Sequence, residues 1–272
     1  MRREARRPQR RQHDGESQGL GSFVWYELMT TDAGAAEAFY RHVLGWGARD
    51  AGMVGMSYTL FSAEGADVAG SMALPQEACD AGAGPGWMGY VGVEDVDATA
   101  AQAAKAGGTV HRPPMDIPGV GRFAIVADPQ GATFALFKAA SGSEAQPAAP
   151  GTPGHGGWHE LHAGEGQSAF GFYADLFGWT KGDAMDMGPM GVYQIFDLDE
   201  QMLGGMMTKT EAEPAPFWLY YFNVEGIDAA KARVEAAGGQ VTSGPMEVPG
   251  GKWIVECLDP QGAIFALVAP GR

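Results

Sequence analysis

The chain has 272 residues, a formal net charge of −15 at pH 7 and an apolar fraction of 45%. This length suits two domains of ordinary size, each with its own core. A body this acidic should repel nucleic acid and anionic membranes, so we expect neither as a partner. No apolar run reaches the roughly 18 residues of a membrane helix. The two cysteines do not occupy equivalent places, which argues against a disulfide framework and favours a cytoplasmic location.

The chain begins with an Arg-rich segment. Residues 1–17 contain six Arg and no apolar core, so the pattern is not that of a secretory signal. We predict a disordered arm over residues 1–20.

The first half of the chain then alternates between strand and helix patterns. Residues 22–30 are rich in aromatic and apolar residues and predict a strand. Asp32 is suited to cap a helix that Gly45 ends, because apolar residues recur at helical spacing between them. Asp128-Pro129-Gln130-Gly131 predicts a tight turn. The other predicted elements are strands over 56–61, 67–73, 87–93, 109–111, 122–127 and 133–138, and a helix over 97–106.

The second half repeats these landmarks at an offset of 131 to 135 residues. A repeat this long indicates a duplicated domain rather than a solenoid. We therefore predict one domain over residues 21–140, a Pro/Gly/Ala-rich linker over 141–154 and a second domain over 155–270. The clearest matches pair Trp25-Tyr26-Glu27-Leu28 with Trp158-His159-Glu160-Leu161, Gly45-Trp46 with Gly178-Trp179, and Asp128-Pro129-Gln130-Gly131-Ala132 with Asp259-Pro260-Gln261-Gly262-Ala263.

These motifs in tandem resemble the vicinal oxygen chelate superfamily, which holds the glyoxalase, bleomycin-resistance and dioxygenase proteins. The resemblance covers residues 21–140 and 155–270 and is closest to tandem two-domain glyoxalase-like proteins. It implies an α+β fold of two tandem glyoxalase-like domains, each a pair of βαβββ units with curled mixed sheets around a cavity. It also implies an intramolecular pseudo-dimer, from which we expect a monomer in solution.

In metal-dependent members of that superfamily, the first and last strands of the units supply His, Gln or Glu ligands. The side chains at the corresponding positions of this chain are indole, thioether, aliphatic or absent, and none is a good ligand for Zn, Ni, Mn or Fe. We therefore expect no metal and no other cofactor. The eight positions are Trp25, Gly70, Met88 and Ala135 in the first domain, and Trp158, Gly205, Leu219 and Ala266 in the second.

Strand alternation predicts which other side chains share the cavity face with these positions. Glu27 follows Trp25 by two residues, and Glu160 and His162 follow Trp158 in the same way. These three are the candidate catalytic residues, because a carboxylate on an aromatic wall tends toward a raised pKa and can serve as a base. Alternatively, the two glutamates are structural and accept hydrogen bonds from neighbouring tyrosines. The candidate ligand-binding residues are Trp25, Tyr90, Arg122, Trp158, Tyr221 and Lys252.

Two of these candidates rest on weaker arguments. Arg122 and Lys252 follow matching Pro-Gly turns and are candidates to bring a cation to each cavity mouth, although solvated strand-edge charge is the alternative. His162 differs from its counterpart Met29, so the two cavities are not expected to be equivalent, although a simple surface or hydrogen-bonded histidine is the alternative.

Three classes of function fit these patterns. The leading one is a small-molecule binding protein, or a metal-independent enzyme, on a glyoxalase/bleomycin-resistance scaffold. The first alternative is a metal-dependent glyoxalase-like lyase or dioxygenase. The second is a protein-interaction module whose cavity is vestigial.

Overall fold

A computed structural model describes residues 19–80, 82–141 and 148–272. The predicted arm over 1–20 therefore lies largely outside the described residues, and so does the middle of the predicted linker over 141–154. The described ranges form two sheets of eight strands each, one from each half of the chain. No helix in these ranges is long and apolar enough to cross a membrane.

Both halves contain the same succession of strands, and the first half has one additional short helix between its fourth and fifth strands. The first half comprises β1 (Phe23–Thr30), α1 (Ala33–Leu44), β2 (Gly47–Asp50), β3 (Tyr58–Ala63), β4 (Ala66–Ala73), α2 (Gln76–Asp80), β5 (Gly86–Gly92), α3 (Val96–Lys105), β6 (Thr109–Ile117), β7 (Gly121–Ala127) and β8 (Thr133–Ala139). The second comprises β9 (Gly156–Ala163), α4 (Gly166–Phe177), β10 (Thr180–Asp186), β11 (Val192–Leu198), β12 (Gln201–Thr208), β13 (Phe217–Asn223), α5 (Ile227–Ala236), β14 (Gln240–Val248), β15 (Lys252–Leu258) and β16 (Ile264–Ala269).

The strand order is β2-β3-β4-β1-β5-β8-β7-β6 in the first sheet and β10-β11-β12-β9-β13-β16-β15-β14 in the second. β1 and β5 meet antiparallel at the centre, whereas β1 pairs with β4 and β5 with β8 in parallel. The sheets are mixed and open, and few helices accompany them. The chain is thus an α+β protein with two tandem domains of the same topology, as the duplicated motifs predict.

The local sequence explains the helix boundaries. Asp32 Oδ1 accepts a hydrogen bond from Ala35 N at 2.9 Å and caps α1, and Gly45 ends that helix at φ 71°. α4 ends in the same way at Gly178, at φ 73°, because this left-handed conformation suits glycine. Glu165 replaces aspartate as the cap of α4 and accepts from two backbone nitrogens.

Two strands differ from the sequence predictions. β2 was not predicted, because Gly47–Asp50 is short, lies at a sheet edge and lacks apolar alternation. β6 extends to Ile117, whereas the pattern predicted a strand over 109–111. Pro113 and Pro114 argue against a central strand, but β6 is the edge strand where missing N–H donors are tolerated.

Alternation along the central strands divides each sheet into two faces. Tyr26 and Leu28 of β1 point into a core that both domains share, whereas Trp25, Glu27 and Met29 point to the opposite face. The shared core continues without a break into residues of the second sheet. Trp25 and Glu27 therefore lie on the outer face of the first sheet, away from the domain contact.

Reciprocal hydrogen bonds join the two domains. Tyr40 of α1 donates to Asp259 Oδ2 at 3.0 Å, and Tyr173 of α4 donates to Asp128 Oδ2 at 2.9 Å. The other oxygen of each aspartate, Oδ1, accepts from backbone nitrogens of its own Asp-Pro-Gln-Gly turn. The repeated turn motif therefore both reverses the chain and anchors the partner domain.

Candidate functional site

Each outer sheet face carries a matching group of aromatic and acidic side chains. We call the face of the first sheet around Glu27 cavity one, and the face of the second sheet around Glu160 cavity two. Glu27 lies opposite Gly70 and Met88 in the register of the neighbouring strands, and Glu160 lies opposite Gly205 and Leu219. Directly opposed residues share a face, so the eight corresponding ligand positions do lie in these cavities.

Glu27 is held by two phenols in cavity one. Tyr58 donates to its Oε2 and Tyr90 to its Oε1, each at 3.0 Å. Trp25 Nε1 donates in turn to the Tyr58 hydroxyl at 3.2 Å. Burial raises the pKa of Glu27, although the two phenols and the positive charge of Arg112 oppose that rise. These are the hydrogen bonds expected if Glu27 is a structural acceptor for neighbouring tyrosines. They do not by themselves indicate catalysis.

Glycine makes room for this arrangement at an inherited ligand position. A Cβ at Gly70 would overlap the Tyr58 ring, and a Cβ at Gly205 would overlap the Tyr193 ring. The absence of a side chain on β4 and β12 therefore lets a tyrosine of the adjacent strand reach the glutamate. The space that a metal ligand would need is filled by a ring.

Cavity two repeats these contacts and adds others. Tyr193 donates to Glu160 Oε2 at 2.7 Å and Tyr221 to Oε1 at 3.2 Å, while Trp158 Nε1 donates to the Tyr193 hydroxyl at 2.8 Å. Glu160 is 8% exposed. The same Oε1 is also 2.9 Å from His162 Nε2.

His162 links Glu160 to a second acid, Glu213, near the surface. Its Nδ1 lies 2.6 Å from Glu213 Oε1, and its ring stacks on Phe217 with 4.5 Å between centroids. Burial lowers the pKa of His162, but Glu160 and Glu213 overcome that effect and the net pKa is raised. The Glu213 side chain is 22% exposed, so the three residues lead from the cavity floor toward solvent; the Nδ1–Oε1 contact is close but does not have the geometry of a hydrogen bond.

Glu256 is a further carboxyl group on the face of cavity two. It pairs in register with Ala266, one of the corresponding ligand positions, and is half-buried. Burial raises its pKa, and the negative charges of Glu160 and Glu213 add to the rise. Ile125 occupies the equivalent place in cavity one, so this acid belongs to the second domain alone.

The side chains at the eight corresponding positions do not fit a metal ion. They offer indoles, a thioether and aliphatic groups instead of oxygen or imidazole donors, and both glycine positions lie under tyrosine rings. In the described part of the chain, no three His, Cys, Asp or Glu side chains are arranged to hold one ion. We therefore derive no step through a metal.

The structure does not bring every predicted residue to a cavity. Arg122 lies on the opposite face of β7 from Phe123 and forms ion pairs with Asp97 and Asp116, at 2.6 and 2.9 Å. It is also not equivalent to Lys252, because the strand registers match Arg122 to Trp253. Lys252 is the first residue of β15. By strand alternation it lies on the same face as Ile254 and Glu256, at the exposed end of the cavity-two face.

Four residues of these sites were missed from the sequence. Tyr58 and Tyr193 recur at the offset of the duplication, so comparison of the two halves could have found them. Glu213 lies on the loop between β12 and β13, which has no counterpart signal in the first half. Glu256 could have been found only with the register of β15 against β16.

Comparison with known proteins agrees with this fold. A model of the "Glyoxalase/Bleomycin resistance protein/Dioxygenase superfamily" matches residues 22–136 and 157–267, so the chain belongs to this superfamily. It is 33% identical over 252 residues to the candidate glyoxylase CFP32 of Mycobacterium tuberculosis, which covers 92% of this chain and 95% of CFP32. It is also 33% identical over 265 residues to the anthracycline biosynthesis protein DauV of Streptomyces sp. (strain C5), covering 91% and 93% of the two chains.

Solved structures show the same architecture at low sequence identity. The Mn(II)-bound glyoxalase from Novosphingobium aromaticivorans superposes with a TM-score of 0.65 at 18% identity, covering 92% of this chain and 82% of that one. A homoprotocatechuate 2,3-dioxygenase variant from B. fuscum also gives 0.65, at 13% identity, covering 92% and 71%. At such identities the likeness establishes the fold and not the reaction.

Proposed function

We propose that this chain is a metal-independent protein that binds a small organic molecule and moves a proton within cavity two. Each domain would be a pair of βαβββ units curled around its cavity. Cavity two would contain the acid–base groups, with Glu160 as base and His162 and Glu213 as the route by which the proton leaves. Trp158, Tyr193 and Tyr221 would orient the bound molecule by stacking and hydrogen bonding.

The observation that supports this proposal is the connected path Glu160–His162–Glu213, with contacts of 2.9 and 2.6 Å. A proton taken by Glu160 can pass to His162, while the proton on the far ring nitrogen passes to Glu213 and then to water. Among the residues that the structure describes, cavity one has no such path, because the hydrogen bonds of Glu27 come from tyrosine hydroxyls and Met29 stands where His162 would be. General bases and acids placed in this way typically contribute about 10²- to 10⁴-fold to a rate.

The relatives are compatible with small-molecule chemistry on this scaffold. CFP32 is named as a candidate glyoxylase and DauV as an anthracycline biosynthesis protein. Neither name specifies a substrate for the present chain. The proposal therefore names a type of chemistry and the residues that perform it.

Identifying the small molecules that copurify with the full chain tests whether cavity two binds a ligand. Extracts of the wild type, Glu160→Gln and Glu27→Gln would be compared by mass spectrometry at equal protein amounts. We expect a compound that is present with the wild type and Glu27→Gln and is depleted with Glu160→Gln. A compound lost only from Glu27→Gln would move the functional site to cavity one.

A metal-dependent lyase is the second candidate, because CFP32 is described as a glyoxylase and the superposed bacterial glyoxalase is Mn(II)-bound. Elemental analysis of purified protein separates the two candidates. Stoichiometric Zn, Ni, Mn or Fe, removed by a chelator together with activity, would replace the metal-independent proposal. Activity that survives chelation would support it.

A further inference from the structure

The two cavities differ in charge at equivalent positions. Arg112 pairs in register with Ile125 in cavity one, and Ser243 pairs with Glu256 at the matching place in cavity two. Cavity two thus has a carboxylate and a hydroxyl where cavity one has an aliphatic side chain and a guanidinium. Together with Met29 in place of His162, these exchanges leave cavity one without the proton path and with a guanidinium where cavity two has the Ser243 hydroxyl.

The lining of cavity one is apolar and adaptable. Methionine is flexible and polarizable, packs well against aromatic faces and suits a site that receives a planar molecule. Tyr90, Phe123 and Phe137 contact one another on the same face and supply flat surfaces. The methionines that line this open cavity are Met29, Met53, Met56, Met72, Met88 and Met115 of the first domain and Met202 of the second.

Arg112 is available to a ligand at the rim of this lining. Among the described residues it forms no ion pair, and its guanidinium contacts the Met115 sulfur at 3.7 Å. Its charge reaches the cavity floor, since it opposes the rise in the pKa values of Glu27 and Tyr90.

Two nearby acids are already neutralised by other cations. Asp67 pairs with Arg49 at 2.6 Å, and Asp116 pairs with Arg122 at 2.9 Å. Neither is therefore an obvious partner for Arg112.

We infer that cavity one is a second ligand site, separate from the proton-transfer site, for a planar apolar molecule that carries one anionic group. The rings and methionines receive the planar body, and Arg112 is the specificity-determining residue that pairs with the carboxylate, sulfonate or phenolate of the ligand. A guanidinium forms two parallel hydrogen bonds to such groups, which gives direction as well as strength. Cavity two should bind the same molecule more weakly, because Glu213 and Glu256 there add negative charge to Glu160, the counterpart of Glu27.

Two fluorescent probes that share one skeleton test the inference on the full chain. Anilinonaphthalene sulfonate is planar, apolar and anionic, whereas phenylnaphthylamine has the same rings and no charge. We expect the wild type to bind the sulfonate more tightly. Arg112→Gln should weaken sulfonate binding by roughly tenfold, because it removes a charged hydrogen-bond partner, and change phenylnaphthylamine binding less than about twofold.

Matched variants separate a specific pair from general charge. Lys105→Gln removes one exposed cation at the end of α3 and should leave both affinities unchanged. Glu256→Ile places the cavity-one residue in cavity two and should leave sulfonate affinity unchanged. Ile125→Glu should weaken sulfonate binding by like-charge repulsion. If that variant does not fold, the comparison of sulfonate affinity between Arg112→Gln and Lys105→Gln still tests the inference.

Three outcomes would overturn the inference. The first is equal wild-type affinity for the two probes. The second is an equal loss of sulfonate binding in Arg112→Gln and Lys105→Gln. The third is a change in sulfonate affinity in Glu256→Ile as large as that in Arg112→Gln. Glu160→Gln should not affect either probe in cavity one, so failure here is distinguishable from failure of the proton-transfer proposal.

Discussion

The Tyr40 hydroxyl donates to Asp259 across the domain contact at 3.0 Å, and Trp87 Nε1 donates to the same hydroxyl at 2.9 Å. All three side chains are buried, so these bonds form where water cannot replace them. Tyr173 and Asp128 form the same link in the other direction. A motif that the sequence suggests is only a turn thus fixes the relative position of the domains.

Tyr40→Phe should destabilise the whole chain. The change leaves Asp259 Oδ2 without its donor, and an unsatisfied buried acceptor costs about 1–3 kcal/mol. Urea unfolding of Tyr40→Phe, Asp259→Asn and the double variant would measure the coupling between the two groups. A coupling energy near zero would show that this contact does not hold the domains together.

The reciprocal contacts also lead us to predict that the chain is a monomer in solution. The faces that the domains bury against each other are already occupied within one chain, so this contact is not open to a second chain. Light scattering at micromolar concentration would give the molar mass directly. A stable dimer at that concentration would contradict the prediction.

His159 should make the protein sensitive to acid. Burial lowers its pKa from 6.5 to about 4, and its ring contacts Tyr26 Oη at 2.6 Å. Between those values the unfolded chain binds more protons than the folded one, so folding stability present above pH 6.5 is lost as the pH falls toward 4. The full difference corresponds to about 3 kcal/mol.

The variant His159→Gln isolates this contribution from that of the carboxyl groups. Its free energy of unfolding should fall less steeply than that of the wild type between pH 6.5 and 4, in parallel denaturant titrations. Parallel pH dependence in the two proteins would mean that folding does not lower the pKa of His159.

His162 should titrate above its ordinary pKa, in contrast to His159. Burial favours the neutral ring, but Glu160 and Glu213 on either side favour the charged one and prevail. Stability from the charged ring is fully present below pH 6.5 and is lost as the pH rises through the raised pKa. NMR of labelled histidine should show this pKa, and Glu213→Gln should lower it, because one of the two negative charges beside the ring is removed. A His162 pKa unaffected by Glu213→Gln would remove Glu213 from the proton path.

Much of this structure follows from the sequence, and the part that does not has identifiable causes. The helix from Asp32 to Gly45 is fixed by local capping and apolar spacing, and the cavity face of β1 follows from alternation at Trp25 and Glu27. Glu256 could not be assigned to cavity two, because its position depends on long-range strand register. Arg122 could not be placed for the same reason. The strand registers match it to Trp253 rather than to Lys252, and this difference of one residue puts it on the face opposite the cavity.

Proton transfer by Glu160 is the central claim, and ring opening of nitrobenzisoxazole tests it without knowledge of the natural ligand. The base removes the ring C–H proton, the C–H electrons form the nitrile, and the N–O bond breaks to release a coloured phenolate, so no oxidant or metal is consumed. The variants to compare are Glu160→Gln, Glu27→Gln and His162→Met, which copies Met29. Circular dichroism would establish that each is folded.

The absorbance change of this reaction, followed at neutral pH with chelator present, is the most direct single measurement. We expect Glu160→Gln to lower the rate by roughly 10²-fold, His162→Met by a smaller factor, and Glu27→Gln by less than about twofold. Equal rates in the wild type and Glu160→Gln, with both proteins folded, would contradict the claim and leave Glu160 a structural acceptor for Tyr193 and Tyr221.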